Sequence, residues 1–505
     1  MPWLTSERYM PDSSQPLPFT TRIPTGIAGF DRILHGGLLQ GAIYLLTGQA
    51  GTGKTILANQ IAFHHVATGG RVTYLTLLTE THDRMLALLR PLAFFDPSCI
   101  GDALEYLSAA QTVLEQGREG LRQFVRDIVR AQRTTLLIID GLVPGHPLAL
   151  SAGDLTQFLH DVQVFNAATG CTTLVVTGPP PATGFAVEQT MVDGVIRLSD
   201  ELIDQRAFRE LEVSKFRGSD SVRGRHTFEI TARGIVVYPR TEAILAQPAV
   251  QEAATDTRLS VGIAGLDAML QGGLLAGSTT LVLGPPGSGK TILGLHVLAA
   301  GVVAQQPGLY FGFYEPPQRL LRKADQLGLN LRQADAAQAL ILVWQPPMED
   351  NLDRLAQRLL TAVGERQITR LVIDGLDGFR AAAVHPERLS RFFMALVHEL
   401  RAREVTTVFT LELPGVVGPI VTLPVSSVST IIDNLILLRH VEVGAQTHRL
   451  ISIMETRDSD YDPAVREFAI GEQGMTVAAS SESAARLLRT EAGPHVWEQG
   501  PRPAE

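Results

Sequence analysis

Cysteine is scarce in this chain, since only Cys99 and Cys171 occur among its 505 residues. Two isolated cysteines provide neither a CxxC pair nor the ligand spacing of a zinc site. They also cannot build the disulfide framework that stabilises many secreted domains. The sequence therefore predicts a protein of a reducing compartment, and we expect it to be cytoplasmic.

Long apolar runs and an excess of positive charge are also missing. No run approaches the roughly 18 apolar residues of a membrane-spanning helix, and the opening segment MPWLTSERYMPDSSQPLP lacks the apolar core of a secretory signal. Lys and Arg number 43 against 52 Asp and Glu, which gives a formal net charge of −9. No membrane partner is expected, and general attraction to nucleic acid is disfavoured.

The chain does contain a repeated segment, a glycine-rich phrase of 16 residues that occurs twice. GIAGFDRILHGGLLQG begins at Gly26 and GIAGLDAMLQGGLLAG begins at Gly262. Residues 23–57 align with residues 259–293 without a gap, and 19 of the 35 positions are identical. A repeat of this size indicates the duplication of a whole domain, because solenoid units are much shorter.

Each half alternates apolar strands with helical segments, for example IYLLTG and TTLVLG followed by TILANQIAFHHVA and TILGLHVLAAGVVA. Near-continuous apolar strands between helices predict an α/β fold in which a mostly parallel, twisted sheet is flanked by helices. The predicted organisation is an N-terminal tail (1–17), a first domain (18–240), a linker (241–258), a second domain (259–477) and a mobile C-terminal tail (478–505) with a short helix at 483–489.

Both halves carry the phosphate-loop pattern G-x-x-x-x-G-K-[ST], as GQAGTGKT from Gly48 and GPPGSGKT from Gly284. Glycines let consecutive backbone N–H groups converge on phosphate oxygens, and the following helix adds the positive end of its dipole. The expected nucleotide-binding residues are Gly48, Gly51, Thr52, Gly53, Lys54 and Thr55 in the first half, and Gly284, Gly287, Ser288, Gly289, Lys290 and Thr291 in the second.

The strands LLIID and RLVID end in Asp140 and Asp374. An aspartate at the carboxyl end of a buried strand can hold the Mg²⁺ of a bound nucleotide together with the phosphate-loop threonine, here Thr55 or Thr291. The alternative is that each aspartate only caps the helix that follows it. The phosphate loops upstream favour the magnesium role, and they predict ATP and Mg²⁺ as cofactors.

The order of the glycine-rich phrase, the phosphate loop, a glutamate after the second strand and the aspartate strand resembles the KaiC-type branch of the RecA-like ATPases, over about residues 18–475. The resemblance implies two tandem RecA-like P-loop domains in a double-ring hexamer, with ATP between neighbouring subunits. It also implies signalling or clock-type partner proteins. The tail that recruits an activating partner in KaiC proteins is shorter here, which favours a signalling role over a circadian one.

The resemblance also identifies candidate catalytic residues. KaiC proteins carry two consecutive glutamates after the second strand, whereas this chain has Thr79–Glu80 and Tyr314–Glu315. Glu80 and Glu315 are therefore the candidates for orienting the attacking oxygen. Alternatively, both begin a helix on the surface, and slow turnover, or binding without turnover, stays open.

Other matched positions concern cations and phosphorylation. Lys215 and Arg217 match the cations that complete a neighbouring subunit's site, whereas the second half has Glu455 beside Arg457, which predicts unequal sites. The alternative is that these are solvated strand-edge charges. Ser429 and Thr430 match the serine and threonine that the KaiC second domain phosphorylates, so they are candidate acceptors of a serine/threonine autokinase.

Two other function classes compete with this interpretation. A RecA-type, DNA-associated ATPase would need basic loops after the late strands, but residues 179–190 and 414–425 contain no Lys or Arg. Nucleic acid is therefore not an expected partner. A nucleotide-gated scaffold with little turnover remains the other alternative.

Overall fold

The computed structural model describes residues 21–77, 82–142, 152–179, 191–203, 205–246, 256–346, 350–413, 431–443 and 446–491. The chain divides into two compact units, Met1–Ile244 and Leu245–Glu505, which we call the first and the second domain. The division lies inside the segment 241–258 that the sequence predicts as the linker. None of the helices in the described residues combines the length and apolar character that a bilayer crossing requires.

The secondary structure of the first domain follows the predicted alternation of strands and helices. The helix Ala110–Gln132 is interrupted at Gly117, whose φ of 58° and ψ of −145° are not helical. In chain order the elements are β1 (Arg22–Ile23), α1 (Ala28–Ile33), β2 (Leu38–Leu39), β3 (Ile43–Gly48), α2 (Lys54–Ala67), β4 (Val72–Thr76), α3 (His82–Leu89), a 3-10 turn (Pro97–Cys99), β5 (Leu104–Ser108), α4 (Ala110–Gln132), β6 (Leu136–Leu142), α5 (Ala152–Thr169), β7 (Thr172–Thr177), β8 (Gly194–Ile203), β9 (Arg206–Phe216), β10 (Arg225–Thr231), β11 (Gly234–Tyr238) and α6 (Thr241–Ile244).

The second domain repeats this series. Its elements are β12 (Arg258–Leu259), α7 (Ala264–Met269), β13 (Leu274–Leu275), β14 (Thr279–Gly284), α8 (Lys290–Val303), β15 (Gly308–Gly312), α9 (Pro317–Gln326), α10 (Leu331–Ala336), β16 (Leu340–Trp344), α11 (Leu352–Glu365), β17 (Arg370–Asp374), α12 (Asp377–Ala382), a 3-10 turn (Pro386–Arg388), α13 (Leu389–Ala402), β18 (Thr406–Glu412), β19 (Asn434–Val443), β20 (Gln446–Thr456), β21 (Arg466–Gly471), β22 (Gly474–Val477) and α14 (Glu482–Glu491).

Each domain is built on a nine-stranded sheet with the same strand order. That order is β5-β4-β6-β7-β3-β8-β9-β10-β11 in the first domain and β16-β15-β17-β18-β14-β19-β20-β21-β22 in the second. The six strands as far as β8 or β19 pair in parallel, and the remaining three continue as an antiparallel meander. The predicted α/β fold of two tandem, mostly parallel sheets is confirmed.

Helices cover both faces of each sheet, because the central strands are apolar on both sides. All six residues of β3 and all six of β14 are buried. In the first domain, one core cluster joins the sheet to α2 and another joins it to α4 and α5. In the second domain, α8 packs on one face, and α11 and α13 pack on the other.

The repeated glycine-rich phrase forms the entry to each central strand. In the first domain it builds β1, α1 and β2, and β1 pairs with β2. Gly37 has a φ of +123°, and a Cβ there would lie 2.2 Å from the Ile23 carbonyl oxygen. At the equivalent Gly273, φ is +125° and the Leu259 oxygen would be 2.3 Å away. Both the left-handed backbone and the close approach demand glycine here.

The C-terminal segment differs from the prediction in one respect. The predicted short helix is present as α14, but it packs on the second domain, whereas the sequence predicts a mobile tail from residue 478. Ala484 is fully buried against Val441 and Leu450, with Leu487 partly buried beside them. A small apolar stripe on the helix therefore docks onto the antiparallel strands.

Candidate functional site

Each phosphate loop joins the end of a buried central strand to the start of a long helix. Gly53 and Gly289 precede the helices α2 and α8, with left-handed φ values of 98° and 101°. Gly51 and Gly287 have φ values of +86° and +73°, and a Cβ at either position would meet no atom within 4 Å. Backbone conformation, rather than lack of space, therefore requires glycine at these two positions, and the loop amides are left accessible to an anion at the helix N-terminus.

The two phosphate-loop lysines fold back over their own loops. Lys54 Nζ donates to the Gly48 and Gln49 carbonyl oxygens at 2.8 and 2.7 Å, and Lys290 Nζ donates to the Gly284 and Pro285 oxygens at 2.8 and 2.9 Å. Burial lowers the pKa of both lysines, and nearby carboxylates act in the opposite direction. These carboxylates are Asp140 for Lys54, and Glu412, Asp374 and Asp377 for Lys290.

The predicted threonine and aspartate of each half lie together. Thr55 Oγ1 donates to Asp140 Oδ2 at 3.2 Å, and Thr291 Oγ1 donates to Asp374 Oδ2 at 2.8 Å. One hydroxyl and one carboxylate at the mouth of a phosphate loop fit Mg²⁺, a hard cation that takes its other ligands from phosphate and water. Asp374 is not the N-cap of α12, a position that Leu376 occupies without a side-chain bond. The capping alternative therefore does not apply to Asp374.

The sequence analysis did not identify the tyrosines that bind these aspartates. Tyr74 OH donates to Asp140 Oδ2 at 2.7 Å, and Tyr310 OH donates to Asp374 Oδ2 at 2.5 Å. In the second domain Thr410 Oγ1 also donates to Asp374 Oδ1 at 2.5 Å. The two tyrosines are separated by the same 236 positions as the two phosphate loops, so the repeat alignment contained a signal for them.

Of the two candidate glutamates, the structure describes Glu315 but not Glu80. Thr79 and Glu80 lie outside the described residues. Glu315 is partly buried, and both of its carboxylate oxygens accept hydrogen bonds from Lys323 Nζ, at 2.6 and 2.8 Å. This pair ties Glu315 to the helix α9, which it precedes.

Tyr314 occupies the position where KaiC proteins carry the first glutamate. Its side chain is 59% exposed, and a Cβ at Gly375 would lie 2.5 Å from ring carbon Cε2 of Tyr314. The pKa of Tyr314 is raised by burial and then by the charges of Asp377, Glu412 and Asp374. A neutral phenol therefore lies next to the aspartate strand, on the sheet edge that carries the phosphate loop.

The candidate cations lie on the opposite edge of the sheet, where the parallel strands begin, whereas the phosphate loop lies where they end. Lys215 pairs with Val195 near the start of β8, and Arg217 N donates to the Asp193 oxygen at 2.8 Å. The start of β8 is aligned with Tyr44, four residues before Gly48 and therefore ~13 Å along the strand from the phosphate loop. These cations do not approach the phosphate loop of their own domain.

The second domain places its counterparts in the same way. Arg457 N donates to the Asp433 oxygen at 3.0 Å, just as Arg217 does to Asp193. Glu455 pairs with Leu435 near the start of β19 and forms an ion pair with Arg457, with 3.3 Å between Arg457 Nε and Glu455 Oε1. The side chains of this pair are 49% and 39% exposed. A carboxylate therefore neutralises the arginine here, whereas Lys215 adds a second positive charge in the first domain.

The remaining predicted sites are outside the described part of the chain. Ser429 and Thr430 are not described, and the same holds for residues 180–190 and 414–425 of the two neutral loops. The phospho-acceptors therefore stay a prediction from the sequence, and so does the argument against DNA binding.

Comparison with known proteins places these features in one family. The family model described as "ATPase: KaiC" matches residues 23–242 and 259–482. The circadian clock oscillator protein KaiC of Synechococcus elongatus is 25% identical over 496 residues, covering 96% of this chain and 94% of that protein. KaiC 1 of Synechocystis is 26% identical with the same coverage. The clock protein KaiC3 of Synechocystis is 26% identical over 492 residues, covering 92% of this chain and 94% of that protein.

Proposed function

Because the chain belongs to the KaiC family of ATPases, we propose that it binds ATP with Mg²⁺ at both phosphate loops and hydrolyses ATP at the interfaces of a double-ring hexamer. One observation carries the proposal. Each domain has its phosphate loop, threonine and aspartate on one edge of the sheet, and its candidate cations on the other edge. A single subunit therefore holds two halves of different sites.

The arrangement supports catalysis between subunits. Arg217 cannot serve the loop that begins at Gly48 in its own domain, because the length of β3 separates them. In a ring with head-to-tail contacts, the cation edge of one subunit meets the phosphate-loop edge of the next. An arginine placed there would stabilise the charge that develops on the transferred phosphoryl group.

Within the site, each group has a separate task. Lys54 and Lys290 would exchange their loop carbonyl partners for phosphate oxygens. Thr55 with Asp140, and Thr291 with Asp374, would hold Mg²⁺, which neutralises phosphate charge when bound. Glu80 and Glu315 remain the proposed groups that orient the attacking water, although Glu315 would first have to leave Lys323.

Mixed rings test whether the cations act between subunits. In a Lys290→Ala background, Arg217→Ala should lower ATP turnover by roughly 10³-fold, and Lys54→Ala should remove it. Mixing these two variants should restore activity at about a quarter of the interfaces of a randomly assembled ring. Phosphate release is the readout, and light scattering after size exclusion confirms assembly. Rings that assemble from the mixture but stay inactive would contradict the proposal.

Autophosphorylation is a subsidiary proposal. Ser429 and Thr430 match the family's acceptor pair, whereas Tyr314 replaces a glutamate that could deprotonate an acceptor hydroxyl. After incubation with ATP and Mg²⁺, the intact mass of the wild type should increase by one or two phosphates, and that of a Ser429→Ala/Thr430→Ala variant should not. An unchanged wild-type mass would remove the kinase from the proposal. A cytoplasmic location and signalling or clock-type partner proteins belong to the same proposal.

A nucleotide-gated scaffold is the second candidate, and the Lys323–Glu315 pair favours it. A carboxylate with both oxygens bonded to an ammonium group is a poor acceptor for the proton of a water molecule. If the second domain is a scaffold site, Glu315→Gln leaves phosphate release in a Lys54→Ala background unchanged while ATP still drives assembly. A clear loss of turnover in this variant would instead assign Glu315 to catalysis.

A further inference from the structure

We propose that Tyr74 and Tyr310 are positioning residues of the two magnesium sites, where each hydroxyl holds the aspartate carboxylate that faces the phosphate-loop threonine. The proposal rests on the proposed function, because it concerns the Mg²⁺ that would accompany bound ATP. Its basis is a contact of the same kind in both domains, from tyrosine OH to aspartate Oδ2.

The strand register brings the two groups together. Thr76 pairs with Asp140 across β4 and β6, and Tyr74 lies two residues before Thr76, on the same face of the sheet. Gly312 pairs with Asp374 across β15 and β17 in the same way, and Tyr310 precedes Gly312 by two residues. Each tyrosine therefore reaches the aspartate diagonally from the neighbouring strand.

The tyrosines serve as hydrogen-bond donors at neutral pH. The exposed fraction is 0% for Tyr74 and 1% for Tyr310. Burial, followed by the charge and hydrogen bond of the aspartate, raises the pKa of each tyrosine well above its ordinary value. The hydroxyl stays protonated and donates to a carboxylate, which is a strong charge-assisted bond.

The residues around the two tyrosines differ, although both tyrosines donate to an aspartate. In the first domain Tyr106 pairs with Tyr74 and donates to Asn59 Oδ1 at 2.7 Å. In the second domain Leu342 pairs with Tyr310. The tyrosine–aspartate bond therefore recurs in one polar and one apolar environment, which argues that the aspartate, and not the local packing, is its purpose.

The tyrosine bond has a specific role toward a magnesium ion. The same Oδ2 accepts from the phosphate-loop threonine and from the tyrosine. A threonine hydroxyl that held Mg²⁺ through its oxygen could still donate its hydrogen to the carboxylate, and the tyrosine would fix the orientation of the same carboxylate from the neighbouring strand. Outer-shell partners of this kind typically change metal affinity by about 10- to 100-fold.

Binding measurements on one site at a time test the proposal. Tyr74→Phe is made in a Lys290→Ala background and Tyr310→Phe in a Lys54→Ala background, and each full-length variant is titrated with ATP in MgCl₂ and in EDTA. We expect about tenfold weaker ATP binding in MgCl₂ and unchanged binding in EDTA. Tyr106→Phe is the matched control, since its hydroxyl binds Asn59, and it should alter neither titration.

The outcomes separate this inference from the proposed function. Equal losses in MgCl₂ and EDTA, or no loss in either, overturn the positioning role while ATP binding by the parent proteins stands. Parent proteins that bind ATP equally well with and without Mg²⁺ contradict the metal site itself. Parent proteins that bind no ATP overturn both proposals.

Discussion

The two domains share a scaffold but differ in the charges around the nucleotide site. Strand order, the glycine conformations, the lysine contacts and the Thr–Asp–Tyr arrangement are repeated from one domain to the other. The differences lie at the two edges of the sheet, where the proposal places the nucleotide and the neighbouring subunit. Thr410 and Glu412 of β18 correspond in register to Val176 of β7 and to Gly178, which follows β7. Glu455 corresponds to Lys215.

Two of these differences, Glu412 and Glu455, make the second domain more acidic than the first near the proposed nucleotide sites. Glu412 pairs with Gly284 at the start of the second phosphate loop, and it is the first of the carboxylates that act on the pKa of Lys290. Glu455 adds a negative charge on the opposite edge. The shared scaffold supports the proposal that both domains bind a nucleotide, whereas the charges predict that the two domains bind and use it unequally.

The largest expected effect concerns the shared lysines. Lys54→Ala and Lys290→Ala should each weaken ATP binding at the mutated site by about 100-fold, or roughly 3 kcal/mol, because a charged donor to phosphate is lost. Calorimetry should count two ATP per wild-type chain and one per variant. Two sites in either variant, or one site in the wild type, would break the claim that both loops function.

Substitution of the glycines in the repeated phrase tests whether both domains depend on the same backbone conformation. Gly37→Ala and Gly273→Ala should each lower the free energy of unfolding by about 2 kcal/mol, from left-handed strain plus contact with a carbonyl oxygen. Gly69→Ala is the control, because its φ is +90° but no atom lies within 4 Å of the added Cβ. Chemical denaturation of the full chain measures all three. A penalty no larger than that of the control would mean that the carbonyl contact relaxes.

The charge difference at the cation edge should change turnover. Glu455→Lys removes a carboxylate that holds Arg457 and restores the cation found at Lys215, so phosphate release by the second domain should rise about tenfold. Glu455→Gln should give an intermediate rate, since it removes the negative charge beside Arg457 without adding a positive one. Both are measured in a Lys54→Ala background. A rate unaffected by either substitution would place this edge outside the interface.

What the sequence predicts well is local along the chain. The phosphate loops consist of consecutive residues, and each aspartate directly follows an apolar run, so local sequence patterns alone identified Lys54, Lys290, Asp140 and Asp374 as candidates. The parallel sheets followed from the alternation of strands and helices. The repeat also identified the glycines that the backbone requires, because both domains need the same conformation at these positions.

What the sequence missed depends on which strands are neighbours, on their register and on where a helix begins. The bond from Tyr74 to Asp140 requires β4 to lie beside β6, and the position of Glu412 requires β18 to lie beside β14. The ion pair of Glu315 with Lys323 likewise depends on where α9 begins. Propensity and periodicity carry no information on such pairings, so the resemblance suggested a role for Glu315 but not its partner, and it suggested no role for Tyr74 or Glu412.

The smallest effect concerns Glu412, which has no acidic counterpart in the first domain. Glu412→Gln should strengthen ATP binding at the second site by about threefold at neutral pH, because an exposed carboxylate beside Lys290 repels the triphosphate through a solvent-screened interaction. Glu404→Gln is the matched control, since it removes an exposed charge beyond α13, on the other edge of the same sheet. The comparison is made by titration in a Lys54→Ala background at low salt. Weaker binding by Glu412→Gln would mean that this carboxylate assists the site, and the two domains would then differ in mechanism as well as in charge.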